Sequence, residues 1–507
     1  ILLPVFLSLA AAGNAQTTFL QLGSENYHTL DRLETISGRL CDSLCLSDKG
    51  ESRRNAVNFL LGTPTNYFDS VWEFSKNKKE GGIKPNDFGK RLSETDNYNM
   101  QQMISESGEW APGEDAAIRS KHPLLKSLYK TQYNLGYVRT SDFFMVVNPV
   151  MNGTVTMQTN TPSTDAAGNA IPKSLYYSSR GAEVRGWISK KIGFYTMFTD
   201  NQEKYPYPVY NYATRRYMAI PGGDYFKAPT SPYGSFDYLQ ASGYFNFDIV
   251  KNHLNATAGF GKHFIGDGIT SLMLTDNSSN MPFMQLQGRI WHLNYEVLYL
   301  ELTPQYLKGK DKTIGHKYST MHYVTWNARR WLNLGLFEAQ VFDRADRYEF
   351  SYMNPIILTT AMSRYNGAGD KSLIGMSWKA IAAHHLQFYG QVIFNEFRIG
   401  ELTSNKGWYG NKWGVQMGGK YFDAFGVSNL DLQGELDVVR PYTYSAQDTL
   451  ANYTNYNQPL ADPLGSGFEK VIGQIKYQPM KKLFVTAKAT YYVHGSDTVS
   501  YTHLTLP

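Results

Sequence analysis

Residues 429–438, NLDLQGELDV, decide how this chain is read. Side chains alternate across a strand, so Leu430, Leu432, Gly434 and Leu436 share one face, and Asp431, Gln433, Glu435 and Asp437 share the other. In a dry core three unpaired carboxylates would each carry a heavy desolvation cost, whereas against water they cost little. The same oily and polar division recurs in Leu239–Ile249, Leu254–Phe264, Leu386–Asn395 and Leu483–Val493. Each stretch is long enough to cross a bilayer when tilted. A repeated strand with one lipid-like and one wet face predicts an all-β fold, a transmembrane antiparallel β-barrel.

Composition agrees with that reading. Apart from the extreme N-terminus, no apolar run approaches the roughly 18 residues of a membrane helix. A chain that spans lipid without helices must close its sheet, because hydrocarbon leaves no partner for an open backbone edge. The 37 tyrosines suit the two interfacial girdles of such a barrel. The alternative is a large soluble β protein with a carbohydrate-binding surface. A net charge of +5 without a long basic run implies no nucleic acid. Cys41 and Cys45 are the only cysteines. Four-residue spacing on a helix would just permit a disulfide, but free or locally paired thiols without function are expected, and with no adjacent His they make no metal site. No nucleotide or nucleophile-elbow motif occurs, so neither a cofactor nor enzymatic activity is expected.

Organisation follows in four parts. Residues 1–15, ILLPVFLSLAAAGNA, read as a signal peptide lacking its basic start. Residues 16–128 read as a small periplasmic helical region. Tyr27, Leu30, Leu33, Ile36 and Leu40 recur at helical spacing behind a Ser24 cap, with weaker helices at Arg53–Leu61 and Asn97–Ser107 and a lysine-rich loop at Lys76–Lys90. Residues 129–498 read as the barrel. Short links near Lys190–Gly193, Val250–His253, His292–Asn294, Arg329–Trp331, Ala382–His385, Asp423–Asn429 and Pro479–Lys482 alternate with long ones. The long links are Asp200–Phe236, Ile265–Pro282, Pro304–Lys317, Asp343–Lys371, Arg398–Gly410 and Pro441–Phe468. Tight periplasmic turns and long extracellular loops have this pattern. With further short turns near Ser141 and Asn152 the count is roughly seventeen, and an even barrel of about eighteen strands would need one more beyond the end. Residues 499–507, VSYTHLTLP, break the strand pattern, and their reverse translation can match a sequencing adaptor, so read-through is expected there.

One segment is more specific than composition. GFGKHFIGDGITSLMLTDNSSNMPF, residues 259–283, resembles a stretch of the Wzi-like capsule-assembly family, sharing the spacing of His263, Gly266, Gly268, Ser271-Leu272, Leu274 and a closing Pro282-Phe283. Lys406–Tyr444 and NYHTLDRLETISG (Asn26–Gly38) look like blocks of its Bacteroidota members, some of which belong to gliding-motility systems. The resemblance implies an outer-membrane barrel with a periplasmic helical bundle. It also implies a non-enzymatic lectin that binds capsular or exopolysaccharide and helps assemble or retain a capsule. Periplasmic or motility proteins are possible further partners besides outer-membrane lipid. The longer lysine-rich N-terminal segment departs from the enterobacterial pattern and leaves the glycan open. The alternatives are a gliding-motility or secretion-associated outer-membrane component, or a small-solute porin.

Candidate site residues carry two readings each. Lys262, His263 and Asp267 could contact sugar hydroxyls and a uronate, or belong to a tight turn built on Gly261, Gly266 and Gly268. Trp408 and Tyr409, with Trp413, could stack on sugar faces or form the ordinary girdle. Arg440, with Tyr442 and Tyr444, could take a polysaccharide carboxylate at the outer rim or pair with a lumen acid. Asp431, Glu435 and Asp437, with Gln387, Gln391 and Lys488, imply a polar lumen, either a channel or a plugged space. His263, Asp267 and Ser271 invite a catalytic triad, but a spacing of four along one loop carries almost no weight for it.

Overall fold

The computed structural model describes residues 18–61, 92–110, 129, 131 and 133–495, apart from 216–219, 224–226, 228, 251–252, 305–314, 345–346, 357–358, 367–368, 396–410 and 447. Signal-peptide residues 1–15, the Lys76–Lys90 loop, Trp408, Tyr409 and residues 499–507 lie outside them.

Alternating apolar and polar side chains produce sixteen strands in one antiparallel sheet, each paired with its neighbour in sequence. They are β1 (Gly136–Arg139), β2 (Phe143–Met157), β3 (Ser174–Ile188), β4 (Ile192–Glu203), β5 (Phe236–Val250), β6 (Leu254–Gly261), β7 (Met281–Ile290) and β8 (Leu293–Leu302). The series continues through β9 (Lys317–Arg329), β10 (Leu332–Phe342), β11 (Lys371–Ala382), β12 (Leu386–Phe394), β13 (Trp413–Tyr421) and β14 (Leu430–Val439). A separate ribbon, β15 (Thr454–Asn455) with β16 (Gln458–Pro459), precedes β17 (Phe468–Met480) and β18 (Leu483–His494). Short turns and long loops alternate as expected. The expected turn at Asn152 is absent, however: β2 runs through it, with Asn152 opposite Ser179 and Gly153 opposite Ser178. An Asn-Gly pair signals a hairpin locally; here the flanking residues on both sides continue to pair with β3.

The sheet wraps around its own N-terminal segment. Sixteen strands laid flat would span on the order of 70 Å, and a 13-residue helix reaches only about 20 Å. Yet α1 (Glu25–Ser37), α2 (Arg53–Leu61), α3 (Glu94–Glu106) and the loops beside them bond to side chains from β3 round to β17. Only a curled wall allows that. Polar positions face inwards and apolar positions outwards: Leu436 is 46% exposed against 0% for Asp437, and Phe245 63% against 0% for Asn246. Trp291 and Trp331 stand exposed at two short turns, where an interfacial girdle would place them.

One patch of the outer face departs from the oily pattern. Thr320, His322, Glu338 and Gln340 point outwards on paired positions of β9 and β10. They are covered by the long loop that follows β10. Thr320 Oγ1 donates to the Tyr352 carbonyl at 3.0 Å, Glu338 accepts from the Thr359 N–H at 3.0 Å, and the hydroxyl of Tyr299 on β8 donates to the Met353 carbonyl at 3.0 Å. The loop thus lies against the outside of the wall and supplies partners that hydrocarbon could not.

Candidate functional site

At the short-turn end, α1 fills the mouth. Its apolar positions Tyr27, Leu30, Leu33 and Ile36 are buried as the spacing predicts, but Asp31, Arg32 and Glu34 are buried too. Ser24 occupies the N-cap position without capping, and Leu40 falls beyond the helix, which ends at Gly38 in the left-handed conformation. The Arg32 guanidinium donates to Asp96 at 2.8 Å, to Asp431 at 2.7 Å and to Asp423 at 2.7 Å, so one cation ties α1 to α3 and to both ends of the β13–β14 turn. Burial by itself would lift the Asp31 carboxyl, but Lys420 at 2.5 Å and the nearby Lys379 pull it down to about 2. Glu34 accepts from Lys379 at 3.1 Å and from the Cys41 backbone N–H.

The loop after α1 continues the filling. Asn327 donates to Asp42, Gln287 to Asp48, and Arg289 to the Ser43 carbonyl. Cys41 and Cys45 are free thiols, on this loop and not on a helix. Burial pushes them up to about 11 and about 12, so neither is a nucleophile at neutral pH.

The long-loop end is closed from above. After β6 the chain turns inwards, and Ile265, Leu272, Met273 and Leu274 pack against inward side chains such as Leu298, Met321, Phe337 and Ile393. Tyr444 and Tyr453, from the loop preceding β17, join this cluster and donate to the Leu272 and Met273 carbonyls at 2.8 and 2.7 Å. Inward-facing Lys371 donates to the Thr443 and Ser445 carbonyls and Lys317 to the Asn452 carbonyl.

The three lumen acids are therefore not bathed in water. Asp431 is held by Arg32 and by His28 at 3.0 Å; Glu435 accepts the Ile269 and Thr270 backbone N–H groups and the Tyr389 hydroxyl; Asp437 pairs with Lys470 at 3.0 Å. Their desolvation is offset by ion pairs and N–H donors, which the alternating pattern alone could not reveal. Gln387 and Gln391 face the same interior, whereas Lys488, on β18, is exposed.

The remaining candidates do not converge on one surface. Lys262 donates to the Gly222 and Asp276 carbonyls, and His263 lies edge-on against Phe283 with its Nε2 buried and unpartnered. Both line a cavity of about 240 Å³ inside the barrel. Asp267 is buried, accepts from Ser47 at 2.7 Å and lies 3.4 Å from Lys379, facing a second cavity of about 220 Å³. It is not an outer-rim residue, because the loop folds inwards. The triad does not assemble: Ser271 Oγ donates to Ile265 and Gln391 carbonyl oxygens, not to His263 or Asp267. Arg440 and Tyr442 follow β14 at the long-loop end, Tyr442 in the left-handed region with φ of 63°. Among the described residues no His, Cys, Asp and Glu cluster could hold a metal ion.

No family model and no curated protein sequence matches this chain. Solved structures do. The chain is similar to Wzi of Escherichia coli, an outer-membrane protein involved in group 1 capsule assembly and a carbohydrate-binding β-barrel. The TM-score is 0.52 at 13% identity, over 96% of this chain and 87% of that one. Pseudomonas putida OprB follows at a TM-score of 0.37 and 10% identity, over 69% of this chain and 89% of that one. A mutant of the Rh. blastica porin gives 0.34 and 8%, over 68% and 94%. At 13% identity the likeness to Wzi is one of fold: an outer-membrane-type β-barrel with N-terminal helices.

Proposed function

We propose that this chain resides in a Gram-negative outer membrane, binds surface polysaccharide and aids capsule assembly or retention without acting as an enzyme. The short turns would face the periplasm and the long loops the exterior, the usual orientation of such barrels. The observation that carries the reading is the filled interior combined with the Wzi-like fold. A wall of sixteen strands could enclose an aqueous channel, but here loops enter from one end and helices from the other, linked through buried Lys379, which pairs with Glu34 of α1 and Asp267 of the loop after β6. That arrangement favours a binding barrel over a small-solute porin. The gliding-motility alternative through α1 gains nothing from its position, since α1 is buried within the wall and offers little surface to a periplasmic protein.

Arg440 and Tyr442 belong to the outward end of this proposed site, and Lys262 and His263 to its interior. The test is binding of the host's own capsular polymer to detergent-solubilised protein, paired with capsule retention in a deletion strain. Specific binding and a shed capsule are expected. Absence of both would overturn the reading.

A further inference from the structure

Lys49 stands between the two lumen cavities and lines both. Its ammonium makes no hydrogen bond or ion pair with any described residue; it lies 4.3 Å over the ring of Phe264. Neighbouring cations are all engaged: Lys262 on two carbonyls, Lys420 on Asp31, Lys476 on Glu25. Asp31, Asp267 and Asp276 act on Lys49 through space, but none of them pairs with it, so the largely enclosed ammonium has no anion in contact.

The larger cavity is built from two kinds of wall. Tyr195 and Tyr244 stack at 5.2 Å, and Phe264 and Phe283 add further aromatic surface. Between them stand Gln21, Gln240, Asn280 and Gln285, whose amide nitrogens donate to Met197 sulfur, the Gly222 carbonyl, the Ala241 carbonyl and Glu296. Their amide oxygens accept nothing from the described residues and remain available to hydroxyl donors. Aromatic faces, hydroxyl acceptors and one unpaired ammonium suit a ring that is apolar on its faces, hydroxylated at its rim and carboxylated once. At about 240 Å³ the cavity lies just below the usual range for drug-sized ligands, a size that suits a single sugar ring.

We propose that this chamber binds a single acidic pyranose, a uronate residue, with its carboxylate on Lys49. The proposal deepens the polysaccharide reading and rests on it for the source of the sugar. One wall of the chamber is the N-terminal segment (Phe19–Leu22 and Asp48–Gly50), and the other is β4–β7 with the loop after β6. An occupant touching both favours the seated segment by linkage, since it binds only when the two walls meet.

The experiment uses the full chain in detergent, with D-glucuronate as probe and its methyl ester and glucose as neutral controls. Calorimetry reads affinity, and protease cleavage within residues 18–61 reads seating. Glucuronate is expected to bind at least ten-fold more tightly than either control and to slow cleavage. Lys49→Met should abolish that preference and Lys49→Arg should keep it. If Lys49→Met fails to fold, comparison of glucuronate with its ester on the unaltered chain still decides. Polymer binding without a preference for glucuronate overturns the chamber and leaves the polysaccharide reading intact. Glucuronate binding that depends on Lys49 without polymer binding does the reverse. Failure of both overturns both.

Discussion

At the scale of single residues, Arg32 and Asp31 hold the N-terminal segment in the lumen. Arg32 satisfies three carboxylates from α3 and the β13–β14 turn. Removing one member of a buried ionic group strands the others, at a cost of about 3–5 kcal/mol. Arg32→Met should therefore lower the urea midpoint for release of the segment, read by protease cleavage within residues 18–61. Arg32→Lys should restore little, because a point ammonium cannot span three acceptors. Asp31 adds an acid dependence of definite sign. Its seated pKa of about 2 lies below the free aspartate value near 3.9. The released segment thus takes up the proton first as pH falls. The stabilisation is complete above about pH 4 and is lost as pH drops towards 2, a difference of about 2 kcal/mol. Asp31→Asn should flatten the acid dependence of seating over that interval. An unchanged profile would place the acid response elsewhere.

At the scale of elements, one loop carries a testable consequence. The segment following β10 lies on the outside of the wall and exposes Phe350 (83%), Ile356 (65%) and Tyr365 (86%). In a bilayer these side chains should meet lipid, while the same loop covers Thr320 and Glu338. Phe350→Trp should give fluorescence quenched by lipids brominated on their acyl chains, and a tryptophan indifferent to them would remove the loop from the hydrocarbon. The strands themselves were legible because their period of two is local: Asp431, Glu435 and Asp437 face inwards as their alternation dictates. What fills the barrel was not legible. Arg32 and Asp431 lie 399 positions apart, and nothing in either neighbourhood announces the other. Asp31, Arg32 and Glu34 read as the solvent face of an amphipathic helix when their solvent is in fact the inner wall. His263 and Asp267 stand where a strand runs into a long link, which reads as an extracellular loop; nothing in the link's length discloses that it folds down the lumen.

At the scale of the whole molecule, the two fillings lie in series along one axis, and that arrangement governs conductance. Helices and the Cys41–Ser52 loop close the short-turn end, and the loops after β6 and before β17 close the other. Current through two barriers in series is limited by the tighter one. The intact protein should thus show little or unstable conductance in a planar bilayer. Deleting residues 18–61 alone should not make it a porin, because the cluster around Leu272, Tyr444 and Tyr453 still blocks the path. The deletion is tolerable for the wall: Lys420 and Asp431 lose their ionic partners and Lys379 keeps only Asp267, but water enters that mouth and solvates them. Shortening the loop after β6 alone should likewise leave the ion-paired mouth shut. Only the double deletion should give the steady current of a wide barrel. Steady current from either single deletion would mean that one of the fillings leaks, and a steady current from the intact chain would restore the porin reading.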